Sequence, residues 1–260
     1  MTIEIRSAAE TLDQAARLAT PVAQLSQQEE LETERAYAIQ AASIALRVER
    51  GERVVGVKMG FTSRAKMIQM GISDVIFGYL TDAMQVEEGA AIDLARFIHP
   101  RAEPEIAFLL SDALEGAVTP AQALKAVAAV APAIEIIDSR YQNFRFSLGD
   151  VIADNSSSSA FVIGQWTGPA ADLSDLAMVF SVDEQRVEVS SEAILGDPLL
   201  SLAAASRLLT QYGGGLPAGS IVLAGGATAA IALNPGARVH LAVERLGTAS
   251  FSVRGSSDEA

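Results

Sequence analysis

Cysteine is absent from the 260 residues, and histidine occurs only at His99 and His240. Disulfides, thiolate metal sites and a cysteine nucleophile are therefore excluded, and the two histidines lack the spacing of a histidine zinc site. A serine triad would have to use one of those two, and no G-x-S-x-G elbow occurs. Neither a P-loop nor a strand-linked G-x-G-x-x-G is present, so nucleotide use has no support. No uninterrupted apolar run approaches the roughly 18 residues of a membrane span. The run near Ile221–Leu233 is broken by Gly225-Gly226. The start, MTIEIRSAAETL, lacks the basic end and apolar core of a signal peptide. Positive charge is scarce: 19 Lys and Arg face 32 Asp and Glu, a net charge of −13. That balance argues against nucleic acid or an anionic membrane as partner. The absences together lead us to expect a cytoplasmic globular chain, and a hydrophobic content of 50% suffices for one large core.

What is present changes character near residue 52. Ala9–Leu18 and Glu30–Arg50 are rich in helix formers, with Ala36, Ile39, Ala42 and Leu46 at helical spacing. Pro21 separates the two predicted helices and Gly51 stands where a helix C-terminus wants glycine. Strand-like runs follow at 54–59, 105–110, 133–137, 160–163, 176–182, 220–223, 239–243 and 249–253, punctuated by Gly, Pro, Asp and Asn. Helices are expected within this body at Pro120–Ala131 and Pro198–Tyr212, and a turn at Asn234–Ala237. The predicted fold class is α+β: a helical N-terminal region over 1–52, a strand-rich body over 53–254, and a frayed tail over 255–260.

The candidate chemistry lies in three places. In Arg101-Ala-Glu-Pro-Glu-Ile-Ala-Phe-Leu-Leu110, residues i and i+2 of an extended chain share a face, so Glu103 and Glu105 point the same way. Glu135 interrupts a second apolar run, Pro132-Ala-Ile-Glu-Ile-Ile137. Three carboxylates on buried strands would need a cation, and oxygen ligands suit Mg²⁺ or Mn²⁺. A solvated strand face, with the glutamates paired to Arg101 or Arg140, accounts for the same pattern. Lys58, flanked by Gly56 and Gly60, could hold an anionic substrate or stand as an exposed strand-end lysine. The stretch 135–164 gathers Asp138, Arg140, Asp154, Asn155 and the run Ser156–Ser159. Arg140 could bind a substrate carboxylate, with Asp154 and Asn155 supporting the site, or the stretch could be a loop capping its own backbone.

The blocks GVKMGFTSRAKMIQMG, IHPRAEPEIAF, IEIIDSRYQNFRF and VIADNSSSSAFVIG occur in that order. They resemble consecutive blocks of the 2-oxopent-4-enoate hydratase/4-oxalocrotonate decarboxylase family, within the fumarylacetoacetate hydrolase superfamily. The resemblance runs from about the first helix to the last strand. It implies a helical N-terminal region on a rolled, mixed β-sheet body, and a Mg²⁺ or Mn²⁺ bound by Glu103, Glu105 and Glu135. It casts Lys58 as a substrate and acid/base residue. Gly225, Gly226 and Thr228, with Arg140 and Asp154, become candidate substrate contacts. The family's hydratases carry an acidic residue in a P-D-Y/F-G block, whereas this chain reads Asp74-Val-Ile-Phe-Gly78. Ile76 at that position points to decarboxylation of a small 2-oxo dicarboxylic acid, 4-oxalocrotonate, with hydration of 2-hydroxypenta-2,4-dienoate as the alternative. The family's Leu-Gly-His/Asn-Pro appears here as Leu195-Gly-Asp-Pro198. The resemblance also implies a homo-oligomer and a complex with a 2-oxopent-4-enoate hydratase.

Overall fold

Helix α1 (Ile5–Arg17) begins where the Glu4 carboxylate accepts from the Arg6 and Ser7 amides at 3.2 and 2.7 Å. These bonds satisfy donors that a helix N-terminus leaves open. The computed structural model from which this geometry is taken describes residues 3–63, 67, 74–169 and 172–255. Most of the expected tail lies outside these, as do residues 64–66 and 68–71 of the block after Lys58. Helix α2 (Thr33–Glu49) turns Ala36, Ile39 and Ile44 inward. It also buries Gln40, whose amide donates to the Phe77 and Ile152 carbonyls, both at 2.9 Å. A buried amide bonded on both sides ties α2 to the body. Arg50 clamps the hairpin by a two-point ion pair to Asp13 at 2.8 and 2.6 Å.

The body holds two sheets. The larger takes the order β2-β1-β10-β5-β6-β7-β3, with β11 beside β5. Its strands are β1 (Val54–Gly60), β2 (Ile76–Thr81), β3 (Gln85–Val86), β5 (Arg101–Leu110), β6 (Val127–Ile137), β7 (Ser158–Ile163), β10 (Ile221–Leu223) and β11 (Ile231–Ala232). The smaller has the order β4-β13-β12-β8-β9, built from β4 (Ala91–Ile92), β8 (Ala177–Val182), β9 (Gln185–Ser190), β12 (Arg238–Val243) and β13 (Gly247–Val253). Both are mixed: β1/β10, β3/β7 and β4/β13 run parallel among otherwise antiparallel pairs. Three shorter or later helices complete the body: α3 (Pro120–Lys125), α4 (Leu148–Ala153) and α5 (Pro198–Tyr212). One hydrophobic cluster runs from Ile3, Leu12 and Ile39 of the N-terminal helices through Ile134 to Val253.

The expected helix at Pro120–Ala131 is corrected. It starts as foreseen, with Thr119 and Gln122 in a capping box and Pro120 in the first turn, but ends at Lys125. Val127–Ala131 instead open β6, where Ala129, Val130 and Ala131 pair with Leu109, Phe108 and Ala107. Pairing with β5 along this edge overrides alanine's helix preference. Strand β2 was not foreseen because Gly78 breaks its apolar run; β9 is a polar edge strand. The stretch Ser191–Tyr212 is long and apolar enough to cross a bilayer by composition, yet half of its most apolar part is buried in the body. Ser201, Leu202, Ala205, Leu208 and Leu209 form its inner face, the pattern of a core helix.

One irregularity in the larger sheet lies beside Glu103 and Glu105. Strand β10 pairs with Ala107–Leu109 and β11 with Arg101–Ala102, so the segment between them on β5 has no strand neighbour on that side. Pro104, which has no amide hydrogen to offer, occupies this gap. The loop joining β10 to β11 spans it, with the Ala224 and Ala227 amides donating to the Ile106 and Pro104 carbonyls, each at 2.9 Å.

A second unusual backbone lies across β2. Asn155, Ser156 and Ser157 all have φ between +51° and +57°, a region that costs residues with a Cβ. The Asn155 side chain compensates by pairing with Tyr79 like a short strand, accepting from its amide at 2.7 Å and donating to its carbonyl at 2.9 Å. The turn sits so close to β2 that a Cβ on Gly78 would come within 2.3 Å of the Asn155 carbonyl oxygen. Gly78→Ala is therefore expected to lower stability by about 1–3 kcal/mol. Urea denaturation checks this, and a midpoint equal to that of the parent protein would show that the turn yields freely.

Candidate active site

The strand register assembles an acidic cluster. Glu103 lies directly opposite Glu135 across the β5/β6 ladder, and Glu105 is two residues along β5 on the same face. Each of the three offers a carboxylate oxygen, and these oxygens lie within 4.8 Å of one another. Glu105 and Glu135 are wholly buried, while Glu103 is half-buried. The Gly225 amide donates to Glu105 Oε2 at 2.6 Å. Glu105 Oε1 and Glu135 Oε1 have no hydrogen-bond partner. Burial, and then repulsion from Glu135 and Glu103, push the Glu105 carboxyl well above the usual range against the pull of Lys58. Buried, orphaned carboxylate oxygens converging on one point fit a hard divalent cation.

Lys58 projects from β1 into this cluster. It is buried, its Nζ lies 2.9 Å from Glu135 Oε2, and it donates to the Ser156 carbonyl at 3.1 Å. Desolvation alone would pull its pKa down, but the attraction of Glu135, Glu105 and Glu103 outweighs it and the pKa rises. Lys58 is thus held as an ammonium, and the exposed strand-end alternative is set aside. The carboxylates outnumber it three to one, so Lys58 alone does not neutralise the cluster.

A cleft of about 280 Å³ opens over the cluster, lined on one side by Lys58, Glu103, Gly226 and Ser156. Its other walls carry the apolar Ile76, Ile137, Phe144, Phe146 and Val151, with Arg101, Thr62, Ser63 and Ser157 adding polar groups. Ile76 is 4% exposed and packs beside Gly60, where a Cβ would lie 3.0 Å from its Cγ1. The Gly226 backbone passes so near Glu103 that a Cβ there would sit 2.9 Å from the carboxylate carbon. Gly225, with φ of +102°, makes the bend that presents its amide to Glu105.

Three expected substrate contacts stand elsewhere or differently. Arg140 and Asp154 are corrected: they pair with each other, deep in the protein, instead of lining this cleft. Arg140 is further occupied by the Asp154 and Ser158 carbonyls and the Ser159 hydroxyl. Burial raises the Asp154 carboxyl to about 6 in spite of Arg140. Their role is to hold the Asn155–Ser157 turn, whose Ser156 and Ser157 do line the cleft. Thr228 is half-buried outside the lining, its hydroxyl donating to the Ala229 carbonyl at 3.0 Å. Asp197, the departure from the family's Leu-Gly-His/Asn-Pro, caps α5 by accepting from the Leu199 amide at 2.8 Å.

Residues not foreseen in the lining include Arg101, Phe144 and Phe146. Arg101 shares a strand face with Glu103 by the i, i+2 rule, and its guanidinium rests 4.4 Å from the centre of the Phe144 ring. The aromatic pair follows Asn143, where φ turns positive, a bend with no sequence signature as definite as glycine.

Residues 53–254 match the fumarylacetoacetate (FAA) hydrolase C-terminal family. A 4-oxalocrotonate decarboxylase of Pseudomonas sp is 56% identical over 97% of this chain and 99% of its own length. A 2-hydroxyhexa-2,4-dienoate hydratase of Comamonas testosteroni is 37% identical over 95% of this chain and 96% of its own. Among solved structures, 4-oxalocrotonate decarboxylase from Pseudomonas putida G7, complexed with magnesium and adipate, superposes with a TM-score of 0.93. It is 33% identical over 97% of this chain and 99% of that one.

If mutual repulsion is the dominant stress in the cluster, Glu105→Gln removes it while keeping shape and the Gly225 hydrogen bond. The metal-free variant is expected to melt no lower than the parent, and its Mn²⁺ affinity to fall about 100-fold or more. Thermal melts and Mn²⁺ titration check this; a lower melting temperature with intact Mn²⁺ binding would contradict it.

Proposed function

The chain belongs to the fumarylacetoacetate hydrolase family, and from that premise we propose that it decarboxylates 4-oxalocrotonate (2-oxohex-3-enedioate) to 2-hydroxypenta-2,4-dienoate and CO₂. This places it in meta-cleavage degradation of aromatic compounds. The observation that carries the reading is the pairing of a buried three-glutamate cluster with an apolar wall formed at Ile76. The 56% identity to a decarboxylase over nearly the whole length supports the same choice.

In the reaction the bond from carbon 5 to the terminal carboxylate breaks and its electron pair becomes the new C4=C5 double bond. The C3=C4 electrons move to C2=C3, and the 2-oxo oxygen takes the negative charge before a proton converts it to the hydroxyl. Glu103, Glu105 and Glu135 would hold a Mg²⁺ or Mn²⁺ ion, which would supply Lewis-acid stabilisation of that developing charge. Lys58, buried 2.9 Å from Glu135 Oε2 at the base of the cleft, donates hydrogen bonds to the substrate's anionic end. Gly226 leaves room above Glu103 for the substrate to approach. Ile76 presents an apolar surface that disfavours a charged carboxylate beside it and favours neutral CO₂. An acidic residue at position 76, as in the hydratases, would repel the leaving carboxylate and serve proton transfer in water addition instead.

The cysteine-free composition supports a cytoplasmic setting. The product is itself the substrate of a 2-hydroxypenta-2,4-dienoate hydratase, which supports an association with such an enzyme. Purified protein with Mg²⁺ should release CO₂ from 2-oxohex-3-enedioate and form little 4-hydroxy-2-oxo acid from 2-hydroxypenta-2,4-dienoate; the reverse preference would make it a hydratase. Ile76→Asp is expected to reduce CO₂ release at least tenfold while retaining Mn²⁺ binding, and undiminished turnover would remove Ile76 from the mechanism.

A further inference from the structure

A second cavity, of about 330 Å³, lies between the α1–α2 hairpin and the β3–β7 side of the large sheet. Its lining is unlike the rest of this acidic chain. Five arginines face it: Arg17 at the end of α1, Arg47 and Arg50 at the end of α2, Arg96 before β5, and Arg140 after β6. The chain has only 19 Lys and Arg in total against 32 Asp and Glu, so such a grouping concentrates positive potential where the surface average is negative.

The carboxylates at hand do not exhaust this charge. Asp138 and Glu52 also line the cavity. Asp138 is engaged by the Ile98 and His99 amides at 2.8 and 2.7 Å. Glu52 accepts from the Thr81 hydroxyl at 2.6 Å and stands 3.6 Å from Arg47, a loose contact for an ion pair. Arg50 is taken by Asp13 and Arg140 by Asp154. Arg17 and Arg96, both exposed at the rim, take part in no ion pair among the described residues. Arg47 is pulled below the ordinary arginine range by burial, opposed by Glu52 and reinforced by Arg140 and Arg50. Guanidinium groups gathered at a concave site with charge to spare match the planar, two-point acceptor geometry of phosphate and carboxylate.

We infer that this cavity is a binding site, separate from the catalytic cleft, for a small oxyanion of two or more negative charges, either a phosphate group or a compact dicarboxylate. Its floor is joined to the cleft, because Arg140 also holds Asp154 and so the turn that carries Ser156 and Ser157.

The test titrates the metal-free full-length chain by calorimetry with inorganic phosphate, and separately with malonate, at ionic strength held constant with chloride. Saturable one-to-one binding is expected in at least one arm. Phosphate binding alone assigns a phosphate ligand, malonate binding alone a dicarboxylate, and either supports the site. In Arg17→Ala/Arg96→Ala, two exposed positions, affinity should fall at least tenfold while the melting temperature in chloride and Mn²⁺ binding stay unchanged. No saturation in either arm, or unaltered affinity in the double variant, overturns the inference. A double variant that merely changes oligomeric state, with no anion binding in the parent, would overturn it in favour of a surface for a second copy.

Discussion

Three carboxylates on one pleated face repel one another, and the surrounding structure is arranged around that repulsion. Glu103, Glu105 and Glu135 are brought together by a register that any one-residue slip would destroy, since a slip sends alternate side chains to the opposite face. Lys58 offsets part of the charge, and the Gly225 amide offsets a little more. What remains is an oxygen-lined point of negative potential inside a low-dielectric body, which a divalent cation neutralises and a hydrophobic core by itself would not tolerate. The same features that make the cluster unfavourable without a cation make it selective for one.

The sheet accommodates this cluster by leaving a gap. Strands β10 and β11 lie on the same side of β5, yet the loop between them leaves the ladder just where Glu103 and Glu105 stand. Pro104 makes regular pairing there unfavourable, and Gly225 and Gly226 let the loop arch close enough to touch the carboxylates without covering them. On the other side, the left-handed turn at Asn155–Ser157 brings a carbonyl to Lys58. Arg140 and Asp154 secure that turn from behind. The bend beside the carboxylates and the carbonyl at Lys58 thus come from two short irregular segments braced against regular strands.

Much of this was legible because its cause is local. The period of two along a strand puts Glu103 and Glu105 on one face whatever the fold, and a glutamate between isoleucines in the second strand signals a charge with a special partner. The two N-terminal helices and α5 announced themselves through spacing and caps. The same i, i+2 rule would have placed Arg101 beside Glu103. Other features depended on partners distant in sequence. Arg140 and Asp154 are polar residues between apolar strands, which marks them as buried and engaged but not with whom; only the tertiary path shows that they engage each other. Gly78 disguises β2 as two fragments, although its missing side chain is what admits the Asn155 turn. The alanines after Lys125 favour a helix in isolation and become strand because β5 pairs with them along one edge and Thr167 bridges Val130 on the other.

Whether the three glutamates jointly hold a divalent cation in the cleft is decided by diffraction from crystals grown with Mn²⁺. One strong anomalous peak is expected within coordination distance, about 2.1 Å for a small hard cation, of an oxygen from each of Glu103, Glu105 and Glu135. A cluster free of any peak, or Mn²⁺ bound at a site that excludes Glu135, would contradict joint ligation.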